Sequence, residues 1–227
     1  MKVVVIIPAY NEENSITKVL ADIPASVVSD VIVVDNDSTD LTGEKAEAAG
    51  ATVVTEPTMG YGNACLAGIA YAEALNPDIV VFLDGDYSDY PQELTKLVAK
   101  INDGYDFVIG SRVLGHAQKG ALLPQARWGN WLAVNLIKLF YGHSYSDLGP
   151  FRAIKWKKLL DLKMQDRNFG WTVEMQIKAV KKKLNITEVP VSYRKRIGVS
   201  KVTGTLSGTV QAGFKILYII FRSILKY

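Results

Sequence analysis

A chain of 227 residues that is 48% hydrophobic can bury a core of its own, and nothing in it is low-complexity, which excludes a disordered or fibrous protein. The lone Cys65 excludes an internal disulfide framework, and with only the distant His116 and His143 there is no Cys/His zinc site, so a reducing cytoplasm fits best. The net charge of +3 hides a split: residues 1–110 carry 5 Lys/Arg against 18 Asp/Glu, whereas residues 111–227 carry 21 against 5, so the two halves face different partners.

The first element, residues 3–7, is a continuous β-branched run stopped by Pro8, the pattern of a strand buried on both faces of a parallel sheet. It is too brief for a signal-peptide core or a membrane span. Asn11 is placed to cap a helix with Glu12 and Glu13 in its first turn and Ile16, Val19, Leu20 and Ile23 as its apolar face. Residues 31–34 repeat the buried strand and end in Asp35-Asn36-Asp37. The helix behind them stops at Gly50, and residues 51–55 make a third strand. After a loop over 56–62, a helix over 63–75 ends at Asn76-Pro77. The apolar strand 79–83 ends abruptly in Asp84-Gly85-Asp86, and a helix over 91–102 and a strand over 107–109 follow. This alternation predicts an α/β fold with a Rossmann-like, mostly parallel sheet, right-handed crossovers and flanking helices.

The basic half is less regular. Its lysine pairs and triplets at 157–158 and 181–183 read as solvated helix faces. A helix over 125–141, carrying Trp128, Trp131, Leu132, Ile137 and Phe140, leads into a turn-rich stretch over 142–151. Residues 171–183 form an amphipathic helix, and residues 186–191 suggest an edge strand, because Pro190 cannot donate to a ladder. The last segment, 206–225, is helical in pattern, with Val210, Phe214, Leu217, Phe221 and Ile224 in one stripe and Lys215, Arg222 and Lys226 in another. Two readings stay open for it: an interfacial helix with its apolar face in lipid, or a helix packed on the domain. Its uninterrupted apolar run, 216–221, is too short to span a bilayer.

In parallel α/β sheets ligands sit beyond the carboxyl ends of the strands, and here that rim collects Pro8 to Glu12, Asp35 to Asp37, and Asp84 to Asp86. The side chains of Asp84 and Asp86 leave the strand on one side, roughly 6 to 7 Å apart, and Gly85 lets a ligand approach between them. Mg²⁺ or Mn²⁺ takes one or two carboxylates plus phosphate oxygens, so the pair suits a metal diphosphate. Taken alone the same residues read as an acidic turn. The basic half suits the phosphates of a nucleotide or lipid, and nucleic acid is not indicated. The glycine-rich loop of a dinucleotide-binding enzyme does not follow the first strand, where Pro8-Ala9-Tyr10 stands instead.

Taken together, Ile6-Ile7-Pro8-Ala9-Tyr10-Asn11-Glu12-Glu13, Val33-Val34-Asp35 with Ser38 to Asp40, Asp84-Gly85-Asp86 and Gly110-Ser111-Arg112 resemble the family 2 glycosyltransferases of GT-A fold. The branch most similar is that of the polyprenyl (dolichol) phosphate mannose or glucose synthases, and the resemblance runs from residue 3 to about residue 201. It implies a GT-A domain over 1–205, with a nucleotide-sugar half at 1–110 and an acceptor half at 111–205, followed by an amphipathic helix at 206–227. It implies that Pro8, Ala9, Tyr10 and Glu12 line a nucleoside pocket, that Asp35 reads the base or ribose, and that Gly62, with Gly60, allows close passage of the donor. Asp84 and Asp86, around Gly85, would hold Mg²⁺ or Mn²⁺ on the diphosphate. The basic run Lys195-Arg196-Ile197-Gly198-Val199-Ser200-Lys201 matches the family's flap, in which Lys195 and Lys201 would meet the donor. Arg112 and Arg127 would face an acceptor phosphate, although Arg127 beside Trp128 equally reads as a stacked surface residue, and Asp147 would orient acceptor or sugar.

The expected activity is inverting, metal-dependent transfer of a hexose from a UDP- or GDP-sugar to a polyprenyl phosphate, peripherally at the cytoplasmic membrane face. Transfer to a hydroxyl acceptor, or nucleotide-sugar binding without catalysis, stays open, as does homo-oligomerisation. The chain departs from the branch at Tyr87-Ser88-Asp89-Tyr90-Pro91, which replaces Leu-Gln-His-Pro. A Gln ligand is therefore missing, and whether Ser88 or Asp89 replaces it stays open.

Overall fold

The computed structural model describes residues 1–198 and 206–226. Among the described residues seven strands form one sheet: β1 (Val3–Ala9), β2 (Asp30–Asp35), β3 (Thr52–Thr55), β4 (Ile79–Phe82), β5 (Phe107–Ser111), β6 (Arg152–Lys155) and β7 (Ile186–Pro190). Their order is β3-β2-β1-β4-β6-β5-β7. All pairings are parallel except those of β6, which runs antiparallel to both β4 and β5. The expected mostly parallel α/β architecture is therefore present, with one reversed strand that the sequence pattern did not reveal.

Among the described residues eight α-helices cover the sheet: α1 (Ile16–Ala21), α2 (Thr42–Ala48), α3 (Tyr61–Leu75), α4 (Leu94–Asn102), α5 (Pro124–Tyr141), α6 (Trp156–Leu162), α7 (Trp171–Lys181) and α8 (Leu206–Lys226). Side chains alternate along each strand, so β1 feeds two cores. Val4 and Ile6 pack with residues of α3, α5, α6, α7 and α8, while Val3, Val5 and Ile7 pack with residues of α1, α2 and α4. Burial on both faces is why β1 and β4 are continuous apolar runs.

Three local expectations change. Helix α1 begins only at Ile16, because Asn11 is left-handed at φ 52° and serves a tertiary contact instead of a cap. Its backbone N–H donates to the Ser38 hydroxyl at 3.0 Å, and its side-chain oxygen accepts from the Thr39 N–H at 2.8 Å, tying the β1 and β2 ends together. Just after the turn-rich stretch, where the sequence pattern assigned no element, β6 and α6 form. There Arg152 is fully buried and donates to the Thr172 carbonyl at 3.1 Å and to the carbonyls of Leu148 and Gly149. β7 takes the sheet edge as Pro190 requires.

Helix α8 docks on α5 and α7 through Ile219, Ile220 and Ser223, all buried. The Tyr141 hydroxyl donates to the Ile220 carbonyl, and Lys215 pairs with Asp166 at 2.9 Å. The docked face is not the stripe expected from the sequence: Phe214, Phe221 and Ile224 point outward. Among the described residues no helix is long and apolar enough to cross a membrane.

Helix α3 lies so close to the sheet that a Cβ on Gly68 would stand 2.5 Å from the Ile6 Cγ2. Overpacking costs about 1–3 kcal/mol, against about 1 kcal/mol gained by replacing a helical glycine with alanine. Gly68→Ala should therefore destabilise the fold by up to about 2 kcal/mol in urea unfolding.

A candidate active site at the switch point of the sheet

Strand order reverses between β1 and β4, and the crevice beyond their carboxyl ends is where such sheets bind ligands. A cavity of about 420 Å³ opens there. Pro8, Ala9, Tyr10 and Glu12 reach it from β1, Asn36 from β2, Gly60 and Tyr61 from the start of α3, and Asp84-Gly85-Asp86 from β4. Asn168, Phe169 and Arg196 close it from the second half of the chain.

Asp84 accepts a hydrogen bond from the Tyr61 hydroxyl at 3.1 Å. Burial, reinforced by the charge of Asp86, pushes its carboxyl up to about 7. Asp86 is buried, and one of its oxygens takes the Ser88 N–H at 2.8 Å and the Ser88 hydroxyl at 2.5 Å. Its other oxygen meets the Arg196 guanidinium at 3.2 Å, and the same guanidinium nitrogen donates to Glu12 at 3.1 Å. Arg196 thus bridges carboxylates from the ends of two neighbouring strands.

The segment 193–197 lies along the residues that follow Asp86. The Ile197 N–H donates to the Asp86 carbonyl, the Arg194 N–H donates to the Ser88 carbonyl, and Tyr193 bridges Asp89. Arg194 holds it down: its guanidinium stands 3.3 Å from the Tyr87 ring centroid and 4.2 Å from that of Tyr90, and donates to the Tyr87 and Asp89 carbonyls. Tyr87 and Tyr90 therefore make an aromatic seat for a cation.

At the end of β5, Arg112 grips Asp147 with its backbone N–H at 2.9 Å, Nε at 2.8 Å and a terminal nitrogen at 2.7 Å. Burial opposes the Asp147 charge, but the Arg112 charge and hydrogen bonds outweigh it and hold the carboxyl below its ordinary value. The loop carrying Asp147 is itself fixed. Glu188 accepts from the Ser146 N–H and hydroxyl, Gln176 donates to the Asp147 carbonyl, and Asn130 accepts from the Leu148 N–H.

The other residues singled out from the sequence lie as follows. Asp35 accepts from the Ser38 N–H at 3.1 Å, beside the cavity, whereas its neighbour Asn36 faces in and fixes the loop over 56–60 through Glu56, Thr58 and Gly60. Gly62 is crowded by the chain itself: a Cβ there would stand 2.1 Å from the Asp166 carbonyl oxygen. Lys195 faces Gln118 and Gly120, away from the cavity, and Arg127 is exposed on the first turn of α5. Ser200 and Lys201 lie outside the described residues. Arg196, Tyr61, Asn168 and Phe169 also line the cavity, although no motif in the sequence assigns them a role. A signal for Arg196 was available, because in an extended segment alternate residues share a side, and Arg194, Arg196 and the Asp-x-Asp loop belong together on one side while Lys195 takes the other.

The model of the family described as glycosyl transferase family 2 matches residues 4–160. A dolichyl-phosphate hexose transferase of Haloferax volcanii is 36% identical over 203 residues, covering 87% of this chain and 85% of its own. An undecaprenyl-phosphate mannosyltransferase of Micrococcus luteus is 30% identical over 220 residues, covering 92% of this chain and 90% of its own. Among solved structures, glucosyl-3-phosphoglycerate synthase of Mycobacterium tuberculosis, crystallised with Mn²⁺, UDP-glucose and phosphoglyceric acid, superposes with a TM-score of 0.77 at 23% identity. That superposition covers 98% of this chain and 79% of the synthase, and it shows a shared GT-A fold. With strand order, rim and family model in agreement, the chain belongs to glycosyl transferase family 2 and is a glycosyltransferase of GT-A fold.

Proposed function

We propose that the chain moves a hexose from a nucleoside diphosphate sugar to a polyprenyl phosphate, with inversion at the sugar carbon. The observation that carries this reading is the meeting, in one cavity, of two carboxylates suited to a divalent cation with an arginine brought from the basic half. The relatives named for dolichyl and undecaprenyl phosphate support the acceptor class. The neighbour crystallised with Mn²⁺ and UDP-glucose supports the donor class and the metal.

The residues fit a hard cation. Asp84 and Asp86 offer oxygen donors, and a carboxyl that burial pushes up to about 7 is short of positive charge. Held by these two, Mg²⁺ or Mn²⁺ would offset charge on the departing nucleoside diphosphate. Pro8, Ala9 and Tyr10 form the wall against which the nucleoside lies, with Asp35 behind it, and Arg196 supplies a cation from the second half of the chain. Residues 1–110 thus hold the donor, and residues 111–205 bring the acceptor.

In this reaction an oxygen of the lipid phosphate attacks the anomeric carbon. The bond from that carbon to the diphosphate oxygen breaks, and the nucleoside diphosphate leaves with the electron pair. A phosphate monoester has a second pKa of about 6, so at neutral pH it needs positioning more than deprotonation. Arg112, fixed by Asp147, is the positioning cation, and Arg127 meets the phosphate from the surface. Asp147 acts by orienting Arg112 and is not a general base.

A lipid acceptor calls for a lipid-facing surface. Trp128, Trp131, Leu139 and Phe140 of α5 and Phe214, Tyr218, Phe221 and Ile224 of α8 are all exposed, Phe214 and Leu139 by more than 70%. Phe140 and Phe221 join the two helices edge to face at 5.5 Å. Exposed Lys138 and Arg222 flank this apolar face, as expected for an interfacial element at the cytoplasmic side of a membrane.

Three outcomes test the reading. Asp86→Ala should abolish Mn²⁺-dependent transfer while leaving the circular dichroism spectrum and melting temperature near those of wild type; retained Mn²⁺-dependent turnover overturns the metal assignment. Radiolabelled sugar transferred to extracted membranes should be released by mild acid, as a phosphosugar is, and an acid-resistant product would point to a hydroxyl acceptor. Trp131→Glu combined with Phe214→Glu should weaken sedimentation with anionic liposomes more than tenfold, since each buried aromatic side chain contributes about 1.5–3 kcal/mol, without changing nucleotide affinity.

A further inference from the structure

One of the two carboxylates suited to a metal already faces a cation of the chain. Asp86 Oδ1 is taken up by the Ser88 N–H and hydroxyl, so Oδ2 is the oxygen that faces any further cation, and the Arg196 guanidinium stands on it at 3.2 Å. The same guanidinium nitrogen donates to Glu12 at 3.1 Å. Glu12, Asp84, Asp86 and Arg196 all line the one cavity, so these contacts are made in the space that a donor enters. Among the described residues no group of three carboxylate, histidine or cysteine side chains is placed to hold a metal. The chain therefore offers a divalent cation two carboxylates, one of them shared with a like charge.

The guanidinium is the lightly held end of a fixed segment. The Ile197 N–H on the Asp86 carbonyl and Arg194 on the rings of Tyr87 and Tyr90 fasten the backbone on either side. Arg194 spends its Nε and a terminal nitrogen on backbone carbonyls, and Arg112 spends three donors on Asp147. Arg196 instead reaches both of its carboxylates with a single terminal nitrogen, and its Nε has no acceptor among the described residues. Its side chain is 28% exposed, so the guanidinium can turn within the cavity while the backbone stays where it is. Donors to spare, in a cavity lined by Arg196, suit the oxygens of an anionic ligand.

Charge decides which ligand that is. A bare divalent cation on Asp86 Oδ2 meets the guanidinium at close range and is repelled. A nucleoside diphosphate carries more negative charge than one divalent cation neutralises, so metal and diphosphate together attract the group that the metal alone repels. Resting on the transfer reaction proposed above for its ligand, we infer that Arg196 competes with the divalent cation for Asp86, and that the diphosphate resolves the competition by drawing the guanidinium onto its own oxygens. The cation thus enters together with the nucleoside diphosphate, and Arg196 keeps bare cations off the acidic rim.

Mn²⁺ binding, followed through the electron paramagnetic resonance signal of the free ion, and isothermal titration of UDP and GDP in the presence of Mn²⁺ test this on wild type, Arg196→Gln and Arg196→Lys. Arg196→Gln should tighten binding of Mn²⁺ alone by about tenfold or more, the scale of one repulsive charge at short range. The same variant should weaken the nucleoside diphosphate that wild type binds with Mn²⁺ by about ten- to hundredfold, the worth of hydrogen bonds to a charged group. Arg196→Lys keeps the charge and should leave Mn²⁺ alone bound as weakly as in wild type. Asp86→Ala added to Arg196→Gln should cancel the gain for Mn²⁺, which locates it. A merely structural bridge between strand ends predicts weaker binding of both ligands and a lower melting temperature, and that result overturns the inference. So does a Mn²⁺ affinity that Arg196→Gln leaves unchanged or that Arg196→Lys raises equally, and a gain for Mn²⁺ without a loss for the diphosphate overturns the handover. A wild-type protein that binds neither diphosphate with Mn²⁺ would overturn the function proposed above and the handover with it, whereas the comparison with Mn²⁺ alone would still decide the competition at Asp86.

Discussion

Repulsion among carboxylates is the constraint that the rest of this structure answers. Glu12, Asp84, Asp86 and Asp89 are gathered around the ends of β1 and β4, and water reaches little of them. Such a cluster survives only with cations supplied from elsewhere. The chain supplies them from its basic half, through Arg196 on Glu12 and Asp86 and through Arg194 seated between two tyrosines. The charge split between the halves is therefore partly an internal complementarity, in addition to any role toward phosphates.

A second consequence concerns rigidity. The Asp147 loop has no regular structure, yet side chains from α5, α7, β6 and β7 all bind its backbone. Arg152 belongs to this scaffold: it is a buried cation whose two terminal nitrogens donate to carbonyls, and burial lowers it to about 10. Arg112 is thus aimed by a carboxylate that is itself immobilised, the arrangement expected where an anion must be received in one orientation.

Legibility in the sequence followed burial. β1, β2, β4 and β5 are readable because strands covered on both faces carry uninterrupted apolar runs, and the rim is readable because each run gives way to proline, Asp or Ser within two residues of its end. β6 is not, since its four residues include Arg152 and Lys155 and only pairing with β4 and β5 makes it a strand. Asn11 carried a capping signature that Ser38 and Thr39 overrode from 27 and 28 residues away. In α8 apolar residues occur on more than one face, so periodicity identified a stripe but could not say which face meets α5 and α7. Of the site, the carboxylates are legible in the sequence, whereas which cation of the basic run reaches them depends on the alternation of side chains along residues 193–197, which puts Arg196 on Asp86 and turns Lys195 away.

The reversed strand β6 has a consequence for the order of assembly. Strands β1 to β4 are neighbours in space soon after they are neighbours along the chain, so that part of the sheet can form from residues 1–82 alone. β5 cannot join it, because the strand that separates β5 from β4 begins only at Arg152. Until then β4 presents an open apolar edge with acidic residues at its end, and the arginines that neutralise them come still later. Contacts of such long sequence separation slow folding and leave edges exposed. On the ribosome the acidic side of the site therefore takes shape first, and its charge is balanced last.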